Sequence, residues 1–135
     1  MLGPYFAQDQ CRNQIMVRFR MQFTTNEEAD FVVPAGAVLS NNWTSTGLYD
    51  VTMAKKYPVF VGGTATIMGP TEANDSKVVI DPADYVASTG VLTYRVMDDD
   101  GDGTPALADV PDNEWVYFEL CFCDRSTMSP TGALT

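Results

Sequence analysis

Long runs of strict two-residue alternation constrain this 135-residue chain more than any other feature. Residues 15–23 read IMVRFRMQF. They put Ile15, Val17, Phe19, Met21 and Phe23 on one side of an extended backbone, and Met16, Arg18, Arg20 and Gln22 on the other. Side chains alternate across a strand, so this pattern predicts a strand with one face buried. Residues 47–53 repeat it, with Tyr49, Val51 and Met53 inward and Asp50 and Thr52 outward. In residues 114–123, Val116, Phe118, Leu120 and Phe122 form the core stripe. Trp115, Tyr117, Glu119, Cys121 and Cys123 take the opposite face.

Shorter strands are expected at 32–39 (interrupted by Pro34 and Gly36), 59–61, 64–68, 77–80 and 91–97. Turn formers such as Asn41-Asn42, Gly62-Gly63, Gly69-Pro70, Asp81-Pro82 and Thr89-Gly90 separate them. The nearest approach to a helical period, at 82–86, amounts to one turn at most. Roughly seven or eight short strands in one small domain predict an all-β fold, an antiparallel β-sandwich of jelly-roll type. The sandwich is expected to span 14–123. Residues 1–13 and 124–135 are polar, bear Pro and Gly and lack period, so they read as extended N- and C-terminal arms. Free tails are the ordinary account of such ends. The alternative is ordering on a neighbour, with Leu2, Tyr5 and Phe6 supplying something to bury.

Composition narrows the function. Hydrophobic residues make up 45% of the chain, too many for a disordered one. Histidine is absent, which removes Ser–His and Cys–His nucleophile pairs and His-ligated metals. Carboxylate chemistry stays open through Glu27, Glu28, Glu114 and Glu119. However, Glu27 and Glu28 sit in a polar turn expected at 24–30, and Glu119 points away from the core stripe. A non-enzymatic protein is therefore expected. The net charge of −10 disfavours nucleic acid and anionic membranes as partners. Residues 1–10 show neither the basic nor the apolar segment of a secretion signal. The three cysteines, Cys11, Cys121 and Cys123, are accordingly expected as reduced thiols, with an intermolecular bridge through Cys11 as the alternative.

One motif carries metal chemistry. Residues 98–109 read DDDGDGTPALAD, following the D-x-D-x-D-G pattern of a calcium loop. Calcium takes six to eight oxygens, from loop positions one, three and five, a carbonyl at seven and an acid at twelve. On that template Asp98, Asp100 and Asp102 are side-chain ligands, Thr104 a carbonyl ligand and Asp109 the closing acid. Gly103 makes the turn. The closing acid is Asp in place of Glu, Pro105 takes the usual hydrophobic position, and the flanks read as strand. A solvated acidic turn explains the same residues. No cofactor is required, and calcium is the one candidate. Trp43, in the polar tract 40–46, is either core or an exposed anchor for a partner.

The segment Gly47-Leu48-Tyr49-Asp50-Val51-Thr52-Met53, followed by Tyr57-Pro58, resembles small β-rich virion proteins of tailed bacteriophages. So do Thr64-Ala65-Thr66-Ile67, Gly90-Val91-Leu92-Thr93-Tyr94-Arg95-Val96 and the closing strand 115–122. The resemblance covers residues 30–123 and marks strand positions only. It implies a capsid decoration or cement protein, made in the bacterial host cytoplasm and located on the virion exterior. Its partner there is the major capsid protein, and homo-oligomers, trimers foremost, clamp neighbouring capsomers. On this reading Leu2, Tyr5 and Phe6 make contacts, and Arg18 and Arg20 form ion pairs between subunits. The alternative is a calcium-stabilised carbohydrate- or receptor-binding β-sandwich of a phage fibre, with Trp43, Tyr49 and the acidic loop as its binding face.

Overall fold

The computed structural model describes residues 11–25, 28–68, 76–98 and 103–126. Nine strands follow one another along the chain. They are β1 (Cys11–Thr25), β2 (Glu28–Val33), β3 (Val38–Ser45), β4 (Leu48–Met53), β5 (Val59–Met68), β6 (Lys77–Val86), β7 (Val91–Asp98), β8 (Ala106–Leu107) and β9 (Glu114–Ser126). One sheet, here sheet A, has the order β2-β1-β9-β5. The other, sheet B, has the order β3-β4-β7-β6, with β8 added beside β7. All pairings are antiparallel. The two sheets pack face to face as a β-sandwich, as the alternation predicts.

The core is made by the predicted stripes. Phe19, Met21 and Phe23 of β1 meet Val116, Phe118, Leu120 and Phe122 of β9, and Tyr49, Val51 and Met53 of β4 meet Leu92, Tyr94 and Val96 of β7. Aromatic rings tie the sheets together. Phe19 stacks on Phe118 at 4.8 Å, Phe118 meets Tyr94 edge-on at 5.2 Å, and Tyr94 stacks on Tyr49 at 5.3 Å. Such pairs add to the area they bury, which makes this chain of rings the spine of the fold.

Several local expectations change. The expected strand at 32–39 is two strands in different sheets: β2 ends at Val33, the cis Val33–Pro34 bond opens a turn, and β3 begins at Val38. Residues 28–30 belong to β2, not to a turn. Residues 82–86 belong to β6 and form no helical turn. Pro82 cannot donate to a ladder, and pairing with β7 breaks between Ile80 and Tyr85 around it. The long terminal strands also reach beyond 14–123, since Cys11 pairs with Ser126 and Arg12 with Arg125. The remainder of both expected arms, including Leu2, Tyr5 and Phe6, lies outside the described residues.

Candidate functional site

Two arrangements stand out, one on the outer face of sheet A and one at the rim of sheet B. Along β9 the even-numbered residues from 114 to 122 are buried, so Trp115, Tyr117, Glu119 and Cys121 face outward. Cross-strand partners share a face. The ladder therefore builds four outward rows: Met16, Cys121 and Gly62; Arg18, Glu119 and Thr64; Val33, Arg20, Tyr117 and Thr66; and Gln22, Trp115 and Met68.

Within these rows the polar groups are organised by one another. The Arg20 guanidinium lies 4.8 Å from the centre of the Trp115 ring, a cation–π contact. Arg18 Nε is 3.7 Å from Glu119 Oε1, and the Tyr117 hydroxyl donates to the same oxygen at 3.0 Å. Partial desolvation raises the Tyr117 pKa, and the adjacent Glu119 carboxylate adds to the rise. Met16, Val33 and Met68 are 44%, 45% and 39% exposed, which leaves apolar surface around these polar groups. Arg18 and Arg20 are thus where the alternation placed them, on the non-core face. This face thus sets aromatic and arginine side chains at its middle and exposed methionines at its margin.

The second arrangement centres on Gly47, in the turn between β3 and β4. Its φ is 70°, and a Cβ there would sit 2.8 Å from Val96 O, 2.9 Å from Ala108 N and 2.9 Å from Leu107 Cβ. Only glycine fits under this crossing segment. Gly47 N donates to Asp109 Oδ1 at 2.8 Å, and Trp43 Nε1 donates to the same oxygen at 2.9 Å. One residue on, Val110 N donates to the buried Tyr49 hydroxyl at 3.0 Å. Together these contacts brace segment 107–110 against the β3–β4 hairpin.

This brace bears on two sequence readings. Trp43 is exposed and not core, and its indole N–H donates to Asp109 at the sheet rim. Tyr49 is fully buried, so it cannot belong to a binding face as the carbohydrate-binding alternative requires. In the acidic segment, Asp98 pairs with Ala106 across the β7–β8 ladder, and Thr104 is exposed. Asp109 lies beyond the end of β8. Its Oδ1 serves the β3–β4 turn. Asp100 and Asp102 lie outside the described residues, and among the described residues no group of three acids or cysteines is placed to hold a metal.

The cysteine expectation also changes. Cys123 is buried and disulfide-bonded, whereas Cys121 keeps a free thiol. An odd cysteine count leaves one thiol over without forbidding a bridge, and Cys121 is the one left. The sequence did not reveal the brace at all. A signal existed in the Gly-x-Tyr spacing, because Gly47 and Tyr49 are the two positions that touch segment 107–110. Comparison with known proteins adds nothing to this geometry: no family model, no curated protein and no solved structure matches the chain.

Proposed function

We propose that this chain is a structural protein of a tailed-phage virion that binds the outside of the capsid and stabilises it without enzymatic chemistry. The outer face of sheet A carries the reading. It combines Trp115 and Tyr117 with Arg18 and Arg20 and a margin of exposed Met16, Val33 and Met68. In a chain of net charge −10, the two arginines give this face a means of meeting a polar or acidic protein surface. The resemblance to small phage virion proteins supports the same reading. Its segments coincide with β4, β5, β7 and β9, so it follows the strands that hold the two sheets together.

The mechanism is adhesion by repeated copies on the virion exterior, with the major capsid protein as partner. A specific footprint is roughly 800 Å² per partner, and many weak footprints on one shell add by avidity. Residues 1–10, with Leu2, Tyr5 and Phe6, extend the contact in this reading. This reading requires no metal.

The test is co-sedimentation of the purified protein with capsid shells that lack it. Saturable binding at many copies per shell is expected, with binding weakened in R18E/R20E and in a chain lacking residues 1–10. A folded protein that leaves shells bare would sink the proposal. Glycan binding that disappears in chelator would favour the fibre-module alternative.

A further inference from the structure

The charges of this chain are unevenly spread. Strand β1 holds Arg12, Arg18 and Arg20 and no acid, and β9 adds Arg125, the register partner of Arg12. These two strands carry four of the chain's eight bases and three of its eighteen acids, which leaves four bases against fifteen acids elsewhere. Of the three acids, Glu114 is buried and Asp124 pairs with Lys55. Among the described side chains of β1 and β9, Glu119 is the acid that shares the outer face with the arginines. One face of an acidic molecule is thus locally basic.

Arg18 and Arg20 stand two residues apart on one strand, so they share that face about 7 Å from each other. Arg18 Nε lies 3.7 Å from Glu119 Oε1, an ion pair longer than a hydrogen bond, and the Arg18 side chain is 59% exposed. Arg20 is placed by the Trp115 ring. A guanidinium held against a ring face keeps its N–H edge for an oxygen ligand.

We propose that Arg18 and Arg20 receive an extended acidic segment of the protein partner, one carboxylate on each arginine, from residues two apart in that segment. The occupant so defined deepens the capsid-docking reading and rests on it. Charge complementarity selects carboxylates, since a guanidinium takes a carboxylate through two parallel N–H···O bonds. Spacing selects the pattern. Alternate side chains of an extended strand share a face about 7 Å apart, so an acid-x-acid run meets both arginines at once. The flanking positions fit as well, because Thr64 and Thr66 continue the rows of Arg18 and Arg20 with neutral hydroxyls. A polynucleotide is a poorer occupant, because its continuous negative charge must approach a chain of net charge −10. Glu119 acts as an internal competitor that the partner's carboxylate displaces from Arg18.

Fluorescence anisotropy with two labelled, capped peptides of equal length and composition tests this. One repeats Glu-Thr, and the other repeats Glu-Glu-Thr-Thr and contains no glutamates two apart. The alternating peptide is expected to bind about tenfold more tightly, the worth of one further charge-assisted bond. Its binding should weaken with added salt. R18K/R20K keeps both charges but loses the planar fork, so it should bind the two peptides equally. E119Q keeps an oxygen for the Tyr117 hydroxyl and removes the competing charge, so it should bind about two- to fivefold more tightly than wild type. These side chains face outward, and unfolding midpoints close to wild type are expected. Peptides that bind equally or not at all overturn the proposal. So does a lysine variant that still discriminates, an E119Q variant that gains nothing, or a single-stranded oligonucleotide that binds more tightly than either peptide. Capsid shells read the two proposals apart. Shells that bind the protein and keep it against excess alternating peptide overturn the acidic-segment proposal alone. Bare shells beside a discriminating peptide pair overturn the capsid reading alone.

Discussion

Replacing Asp109 by alanine removes the carboxylate that holds the β3–β4 turn. Two N–H groups lose their acceptor, Gly47 N at 2.8 Å and Trp43 Nε1 at 2.9 Å. Hydrogen bonds to a charged group are worth about 1.5–3 kcal/mol, and a buried donor left unsatisfied costs its desolvation as well. Gly47 is buried, so its bond takes that range in full. Trp43 is 36% exposed, and water can replace its acceptor, which reduces that bond to about 0.5–1 kcal/mol. The expected loss is therefore about 2–4 kcal/mol, a drop in Tm of roughly 6–20 °C for a domain of this size. Asp109→Asn keeps an oxygen in place as a neutral acceptor and should lose about 1 kcal/mol. Trp43→Phe should cost about 0.5–1 kcal/mol, and in the Trp43→Phe/Asp109→Ala double variant that cost should vanish. The assay is urea denaturation and thermal melting of wild type and the four variants, each with calcium and with chelator. If Asp109→Ala lies within about 0.5 kcal/mol of wild type, the brace contributes nothing and the reasoning fails. If wild type loses stability in chelator and Asp109→Ala does not, Asp109 is a calcium ligand after all.

Gly47→Ala should be more damaging, at about 3 kcal/mol or more, because a Cβ meets two backbone atoms below 3.0 Å and the φ of 70° is strained for alanine. Gly36→Ala, with nothing within 4 Å, is the control and should stay within about 0.5 kcal/mol in the same denaturation assay. Burial pushes the Tyr94 phenol well above the ordinary 10.0, and the neighbouring Tyr49 and Asp50 add to this. The unfolded chain ionises first, so this contribution to stability is complete below pH 10 and is lost as pH rises beyond it. Urea midpoints measured from pH 8 upward should fall steeply above 10 in wild type and less so in Tyr94→Phe; equal slopes would refute the assignment. Alkylation of the denatured but unreduced protein should label Cys121 and leave Cys123 unmodified until a reductant is added, as read by tandem mass spectrometry of the peptide carrying both.

The sequence by itself determined the layers of this molecule. Period-two alternation in β1, β4 and β9 separates core from surface without reference to any other strand, because successive side chains of an extended backbone must point to opposite faces. Phe19, Tyr49 and Phe118 are therefore legible as core, and Arg18 and Arg20 as surface. Even the burial of Glu114 follows from its parity with Val116. Local chemistry could be misread where tertiary pairing overrides it. The run at 82–86 became strand because β7 offers a ladder there, and 32–39 divided because its two halves have partners in different sheets.

Only the tertiary structure decided which surface residues act together. The four outward rows of sheet A depend on β9 lying between β1 and β5, a neighbour relation that joins residues some hundred positions apart. The same holds for Asp109, whose place in an acidic run suggested a cation and whose partners are Trp43 and Gly47, 66 and 62 residues away. Alternation is a property of one strand and can be read along the chain. Strand order and long-range hydrogen bonds are properties of pairs, and no short window of sequence contains both members.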